Sequence, residues 1–221
     1  MDVIEHILVI ISAYLLGSVP TSVWVGRAFY GKDIREYGSG NAGASNTFRV
    51  LGKKAGIPVL IFDIFKGWGA VKLIYFTNLY LPGTSDFINL QLGLGVAALV
   101  GHIFPVYVGF KGGKGVATLF GAVIAIEPTT SIIAISIFII SLLITKYVSL
   151  SSMIAGFSFP ILIIVVFKET NISLVIFSMV IAILLLFTHQ KNIERLLARE
   201  ENKANLKIKK RKVQKQNCET K

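Results

Sequence analysis

Small residues flanked by two arginines form the first segment of the chain that could do chemistry. Residues 38–47 are all Gly, Ala, Ser, Asn or Thr, and Arg35 and Arg49 stand on either side. Glycine lets a backbone approach a ligand and turn its N–H groups into a concavity that suits phosphate, and arginine can bind phosphate oxygens bidentately. The alternative is a tight linker in which Asn46 or Thr47 caps the next helix. The two arginines favour a ligand site.

A glycine-rich turn with two lysines forms the second segment. Residues 109–115 contain four glycines together with Lys111 and Lys114, and an apolar run follows at Val116. Backbone donors, two ammonium groups and the positive end of a helix together favour an anion. The segment is not a nucleotide-binding P-loop, because Lys114 is followed by Gly115 rather than by Ser or Thr. A basic loop on the inner side of a membrane would explain the lysines but not the glycines.

A third segment lies near the C-terminal end of the apolar part of the chain. His189, Asn192 and Arg195 are spaced three residues apart, which puts them on one face of a helix. This face offers a proton acceptor, an amide and a guanidinium group. The alternative is a helix end with polar residues at the membrane interface.

Three more ionisable side chains fall inside or beside apolar runs. Asp63 and Lys66 are three residues apart and can pair within a helix bundle, either as a structural ion pair or in a functional role. His102 stands just before the glycine-rich turn and is a second candidate for acid–base chemistry.

The composition places these segments in a membrane protein. Of the 221 residues 53% are hydrophobic, and the net charge is +11. This much apolar material excludes a disordered chain, and the single cysteine, Cys218, excludes an internal disulfide framework and a Cys-based zinc site. Apolar runs close to the roughly 20 residues that cross a bilayer recur along the chain. They are residues 3–25, 57–76, 88–108, 129–145, 148–167 and 172–187, with a shorter run at 116–126 that is either a short span or a re-entrant segment.

Lys and Arg residues predict the orientation of the chain, because they concentrate in cytoplasmic loops. With seven spans and the N-terminus outside, Lys168 alone falls in an outer segment, while Lys66 and Lys72 lie within a span. Six spans would place the basic C-terminal tail outside. We therefore expect an all-α, polytopic integral membrane protein with seven transmembrane helices, one of them short, an outer N-terminus and a cytoplasmic C-terminus.

The three segments, in this order, strongly resemble the motifs of the bacterial acyl-phosphate:glycerol-3-phosphate acyltransferase family. The resemblance implies a membrane-integral acyltransferase domain over residues 1–201, in the inner or plasma membrane, with its active site on the cytoplasmic side. It implies transfer of a fatty acyl group from acyl phosphate to the 1-hydroxyl of sn-glycerol 3-phosphate. The products are lysophosphatidic acid and phosphate, in the first step of phospholipid synthesis. Residues 202–221 are expected to be a flexible basic tail near anionic lipid rather than nucleic acid.

With this resemblance, the site residues become specific predictions. The predicted catalytic residues are His189, Asn192 and Ser39. The predicted substrate-binding residues are Gly38, Asn41, Ser45, Arg49, Lys111, Gly112, Gly113, Lys114 and Gly115. Ser39, Arg49 and Lys111 or Lys114 are expected to hold glycerol phosphate, and the Gly112–Gly115 turn is expected to receive the head of the acyl phosphate.

Acyl phosphate is an activated anhydride, so the predicted reaction needs neither a metal nor a cofactor. The acceptor of the hydroxyl proton stays open between His189, His102 and the phosphate of the donor. The expected partners are the two substrates, membrane lipids and an upstream enzyme that forms acyl phosphate, without nucleic acid; the sequence does not predict an oligomeric state. A transporter or channel for a small anion is the rival class, but it would require its polar residues at mid-membrane rather than at one face.

Overall fold

The computed structural model describes residues 2–204, and between these residues it contains helices and no strand. The α-helices are α1 (Asp2–Gly17), α2 (Thr21–Tyr30), α3 (Ala44–Leu51), α4 (Lys53–Lys72), α5 (Ser85–Ile103), α6 (Val116–Ile126), α7 (Pro128–Thr145), α8 (Val148–Ile161), α9 (Ile172–Thr188) and α10 (Gln190–Leu197). Short 3₁₀ turns cover Ile34–Glu36, Leu73–Phe76 and Val106–Val108, and a π turn at Leu162–Val166 extends α8. The predicted all-α class is confirmed.

The first predicted span, residues 3–25, is wrong as one continuous helix. The chain leaves α1 at Gly17, enters α2 at Thr21 and bends by 40° between them. Pro20 stands at the break, where it lacks an N–H group and crowds the preceding turn. The interruption releases the main-chain oxygen of Val19, which accepts a hydrogen bond from Lys66 Nζ at 2.8 Å.

The other predicted apolar runs are helical, and the short run at 116–126 is α6. Three stretches are long and apolar enough to cross a membrane by themselves: Ser85–Val108, Pro128–Thr145 and Val148–Val166. Two bent pairs of helices, α1 with α2 and α9 with α10, could each add a span. Much of the apolar surface of α7 is exposed, as in a helix that faces lipid. The count of seven spans stays a prediction.

Glycines bring several helices into backbone contact. A Cβ on Gly67 of α4 would overlap the main-chain oxygen of Thr118 in α6, and one on Gly121 of α6 would overlap that of Ile64 in α4. Small residues allow such close approach between membrane helices. The contact fixes the start of α6, where the glycine-rich turn ends, against α4.

Most of the polar segments meet at one end of the bundle, which we call the polar end. It consists of residues 33–49, 104–115, 146–149 and 189–204. Arg35 Nη1 joins the first two of these segments by donating to Val108 O at 2.8 Å. Ala204 N joins the last two by donating to Lys146 O at 2.7 Å.

The opposite end of the bundle has its own contacts. There the start of α1 meets the connection between α4 and α5, because His6 Nε2 and Tyr80 Oη are 3.0 Å apart and Asn78 N donates to Glu5 Oε1 at 3.4 Å. This end therefore has its own set of contacts, separate from those of the polar end.

Candidate active site

Asn46 shapes the first glycine-rich loop from inside the protein. Its Oδ1 accepts from Ser39 N at 2.9 Å, and its Nδ2 donates to the main-chain oxygens of Ile34 at 2.9 Å and Tyr37 at 3.0 Å. The N-cap of α3 is Gly43, so the alternative that Asn46 or Thr47 caps this helix is wrong. The amide is needed for the loop itself, and it presents Ser39 at the surface.

Arg35, considered from sequence as a phosphate contact, already has partners within the fold. Its Nη2 lies 2.8 Å from Asp33 Oδ2, and its Nη1 donates to Val108 O. The hydrogen bond from Arg35 holds the pKa of Asp33 well below its ordinary value. Arg35 is thus held by Asp33, which also pairs with Arg27, and it connects the first loop to the turn before α6.

A cleft of about 500 Å³ lies between these two loops. It is lined by Asp33, Arg35, Glu36, Gly40, Val108, Gly109, Lys111 and Gly112. Its volume falls in the range of small-molecule sites. Of the predicted residues, Lys111 and Gly112 line it directly, and Gly40 brings in the loop that carries Gly38, Ser39 and Asn41.

The backbone of the glycine-rich turn is partly engaged in the fold. Gly112 N donates to Ile103 O at 3.1 Å, and Gly113 N donates to His102 O at 3.2 Å. Two of the donors predicted to face an anion are therefore bound to the last turn of α5. Gly115, with a φ of 74°, adopts the left-handed conformation that glycine favours and starts α6.

Lys114 reaches from this turn to α10, where its Nζ contacts Asn192 Oδ1. The amide of Asn192 in turn donates to Glu201 Oε1 at 2.7 Å, and Ser149 Oγ donates to the same oxygen at 2.8 Å. Arg195 Nε binds Glu201 Oε2 at 2.7 Å. The second and third predicted segments thus meet through side chains, as their prediction as one site requires.

Glu201 and Ser149 are site neighbours that the prediction left out. Burial raises the pKa of Glu201, but hydrogen bonds from Arg195, Asn192 and Ser149 outweigh this effect and lower the pKa overall. The sequence signal that could have found Glu201 is its position six residues after Arg195. Ser149 carries no such signal, because it belongs to a different helix, α8.

Positive charge concentrates around Lys114. Burial, together with the charges of Arg195 and Arg49, lowers the pKa of Lys114 to about 8 against the opposing effect of Glu201. A bound phosphate would relieve this repulsion, so the group is suited to an anion.

Ser45 is exposed in the first turn of α3, and no hydrogen bond links its side chain to Lys114 within residues 2–204.

His189 stands at the junction of α9 and α10 and is buried. Its Nδ1 lies 3.0 Å from Leu185 O. A carbonyl oxygen only accepts, so Nδ1 holds the proton of the neutral ring and Nε2 keeps a lone pair. Burial and the charge of Lys114 lower the pKa of His189 to about 4. The ring is therefore neutral at physiological pH and can accept a proton at Nε2.

The part of the chain from residue 2 to residue 204 contains no cluster of three or more His, Cys, Asp or Glu residues that could hold a metal ion. The residues of the polar end are instead suited to binding phosphate and moving one proton.

The model of a protein family described as glycerol-3-phosphate acyltransferase matches residues 7–199. A glycerol-3-phosphate acyltransferase of Chlorobaculum tepidum is 40% identical over 219 residues, which cover 88% of this chain and 94% of the relative. One of Fusobacterium nucleatum is 41% identical over 195 residues, covering 88% of this chain and 95% of the relative.

Two solved structures have the same fold. One is a crystal structure of PlsY (YgiH), an integral membrane glycerol 3-phosphate acyltransferase, in its glycerol 3-phosphate form, with a TM-score of 0.79, 35% identity and coverage of 91% of this chain and 96% of that chain. The other is its lysophosphatidic acid form, with a TM-score of 0.76, 34% identity and coverage of 90% and 95%.

Proposed function

Because the chain belongs to the glycerol-3-phosphate acyltransferase family, we propose that it transfers a fatty acyl group from acyl phosphate to the 1-hydroxyl of sn-glycerol 3-phosphate. The products are lysophosphatidic acid and inorganic phosphate, in the first step of phospholipid synthesis. The observation that carries the proposal is the contact of Lys114 with Asn192 beside Arg195. This partly buried basic group is suited to a phosphate substrate.

The similar solved structures support the substrate class. One was determined in a glycerol 3-phosphate form and the other in a lysophosphatidic acid form, which correspond to the acceptor and the product of the proposed reaction. Both molecules carry a phosphate, and here the cations that could bind it belong to three segments of the polar end.

The proposed roles follow the geometry of the polar end. Arg49 and Lys114, whose charges interact, bind the phosphate of glycerol 3-phosphate together with Ser39 from the neighbouring loop; Lys111, which lines the cleft, is the alternative to Lys114. The head of the acyl phosphate lies against the turn from Gly112 to Gly115. Gly38, Asn41 and Ser45 contribute through the loop and the start of α3.

The transfer forms one carbon–oxygen bond, breaks another and moves one proton. The acceptor hydroxyl oxygen attacks the carbonyl carbon of the acyl phosphate, and the bond from that carbon to the phosphate oxygen breaks. Phosphate leaves with the bonding electrons, and the hydroxyl proton moves to His189 Nε2 or to the departing phosphate. Because phosphate is a good leaving group, positioning and electrostatic stabilisation suffice without a covalent enzyme intermediate, metal or cofactor.

His189 and Asn192 have different roles at the acceptor hydroxyl. An amide cannot act as a base, so Asn192 orients groups while His189 is the protein's proton acceptor. The pKa of His189 is lowered partly by Lys114. A phosphate bound at Lys114 would offset that charge and make the ring more basic at the moment of transfer.

The proposal includes the location of the protein in the inner or plasma membrane, with seven spans and the polar end on the cytoplasmic side. Its support is that the basic segments collect at the polar end, as the positive-inside rule requires. The acyltransferase domain covers residues 1–201. Of the tail predicted over residues 202–221, residues 205–221 lie outside the described part, and Ala204 still bonds to Lys146. Membrane lipids and an upstream acyl-phosphate-forming enzyme are the partners, without nucleic acid.

One assay tests the reaction. Purified full-length protein in lipid nanodiscs receives palmitoyl phosphate and glycerol 3-phosphate, and phosphate release and lysophosphatidic acid are both followed. We expect the two products in equal amounts and only when the acceptor is present. Palmitoyl-CoA in place of palmitoyl phosphate is the donor control and should give neither product. Folded protein that forms no lysophosphatidic acid contradicts the proposed function.

A further inference from the structure

His102 lies directly beneath the glycine-rich turn. It belongs to the last turn of α5 and is 6% exposed. Its main-chain oxygen accepts from Gly113 N, and its Nδ1 is hydrogen-bonded to Thr118 Oγ1 at 3.0 Å. A Cβ on Gly113 would lie 2.5 Å from His102 Nε2 and 2.8 Å from Ala42 O. The ring therefore supports the point at which the two glycine-rich loops touch.

Asp63 lies next to this ring on the membrane side. Its Oδ1 accepts from Lys66 Nζ at 2.9 Å and from Thr21 Oγ1 at 3.3 Å, and lies 3.8 Å from His102 Nδ1. Lys66 Nζ also donates to Val19 O at 2.8 Å, in the break between α1 and α2. One buried polar cluster thus connects the α1–α2 break and α4 to the last turn of α5.

A buried ion pair of this kind adds little net stability, because desolvating the two charges offsets most of their attraction. Apolar residues of similar size would hold the helices together equally well. What the cluster provides is directionality. The hydrogen bonds of Asp63 and Lys66 orient α4 against Thr21 and Val19, and the hydrogen bond to Thr118 fixes the His102 ring relative to α6. Because the cluster lies below the glycine-rich turn, we expect its hydrogen bonds to fix the position of that turn.

We propose that His102 is a positioning residue for the acyl transfer: held by Thr118 above the Asp63–Lys66 pair, it determines the position of Gly113 and thereby that of Lys114. The proposal rests on the proposed function, since Lys114 is the cation assigned to the substrate phosphate. His102 is not the proton acceptor. Its Nδ1 is engaged with Thr118, and Gly113 covers the side of the ring that carries Nε2, so the ring acts on the substrates only through the turn.

Thr118 offers the sharpest variant, because Thr118→Val removes the hydroxyl that holds His102 and keeps the size of the side chain. We expect kcat/KM for glycerol 3-phosphate to fall about fivefold, the size expected for one lost hydrogen bond, with most of the change in KM. Thr118→Ser keeps the hydroxyl and should stay within about twofold of the original protein. Thr130→Val, at a threonine of α7 that is equally buried, is the matched control and should also stay within that range.

Two variants of His102 separate positioning from proton transfer. Asparagine places a polar atom where Nδ1 lies but cannot act as a base, so His102→Asn should remain within about tenfold of the original kcat. His102→Ala removes the support altogether and should cost more than His102→Asn. A loss of about 100-fold or more in His102→Asn would be the loss of a base and would overturn the proposal.

Hydrogen–deuterium exchange gives a readout that does not depend on catalysis. In Thr118→Val and His102→Ala, peptides covering residues 109–115 should exchange about fivefold faster than in the original protein. Peptides covering residues 73–84, at the other end of the bundle, should not change. If the original protein forms no lysophosphatidic acid, the proposed function fails while this measurement still decides on His102. Unchanged exchange at residues 109–115, or an equal change in Thr130→Val, overturns the positioning role.

Discussion

Lys114 is the side chain on which the charges of the polar end converge. It contacts Asn192, and its pKa is lowered to about 8 by burial and by Arg195 and Arg49, against Glu201. A lysine in such a place is still charged at neutral pH but gains more than an exposed lysine from a bound anion. The loss of the Lys114 charge with rising pH should therefore weaken the binding of the substrate phosphate.

The pH dependence of activity tests this assignment. Since Lys114 is charged below its pKa and neutral above it, we expect kcat/KM for glycerol 3-phosphate to fall as the pH rises through about 8. kcat/KM reports the free enzyme, in which the pKa of Lys114 is lowered. Lys114→Arg should move this fall to a much higher pH, because guanidinium keeps its charge. Lys111→Arg is the control and should retain the fall; the same fall in Lys114→Arg would assign it to another group.

Arg49, in the last turn of α3, supplies the second predicted phosphate contact. Arg49→Ala should raise KM for glycerol 3-phosphate about tenfold or more, the effect of losing a charge-assisted hydrogen bond, with a smaller change in kcat. Steady-state kinetics at saturating palmitoyl phosphate measure both constants. Lys53→Ala, at an exposed cation just beyond α3, controls for loss of general positive charge. An unchanged KM in Arg49→Ala would remove this residue from the site.

The elements place these side chains through backbone contact rather than through large side chains. α4 meets α6 at Gly67 and Gly121, and α1 meets α5 at Gly17 and Gly101. Because α5 ends and α6 begins at the glycine-rich turn, these contacts determine where the turn lies. The packing of these helices therefore also determines where Lys114 lies.

A single methyl group at the contact of α4 and α6 should disturb both. Gly67→Ala would press its Cβ into the main-chain oxygen of Thr118, so we expect a lower thermal unfolding midpoint and a lower kcat/KM. Gly93→Ala in α5 is the matched control, since no atom lies within 4 Å of its added Cβ. Thermal unfolding in detergent, followed with the activity assay, compares the two variants. Equal midpoints would contradict the close packing of α4 on α6.

At the scale of the whole molecule, the proposed reaction requires the polar end to face the compartment that holds both phosphorylated substrates. From the basic segments, the positive-inside rule predicts that this is the cytoplasmic side. α1 and α2 meet at a bend beside Pro20, and α6 has only 11 residues, so helix lengths alone do not give the number of spans. Orientation therefore has to be measured on the intact chain.

Cys218, the only cysteine of the sequence, allows this measurement without engineering. In intact cells a membrane-impermeant maleimide should leave Cys218 unlabelled, and labelling should appear once the membrane is permeabilised, because the C-terminus is predicted to be cytoplasmic. Thr170→Cys in a Cys218→Ser background is the control and should label from outside. Labelling of Cys218 in intact cells would invert the proposed orientation.

Several features were predictable from local sequence because their causes are local. Apolar runs predicted the helices from α4 to α9, and residue types indicated phosphate binding at residues 35–49 and 109–115 and a proton acceptor at His189. Family resemblance supplied the reaction. The break between α1 and α2 could also have been read at Pro20, but the apolar run on both sides concealed it.

Long-range contacts decided the rest. That Arg35 donates to Val108, that Ser149 donates to Glu201 and that Lys114 contacts Asn192 all depend on residues far apart in the chain. The sequence by itself determined the helices, their apolar character and the chemistry available, because hydrophobic periodicity and residue type act locally. Only the tertiary structure decided which polar and charged side chains of distant segments lie together, as Lys114 does with Asn192, because that depends on how the helices pack.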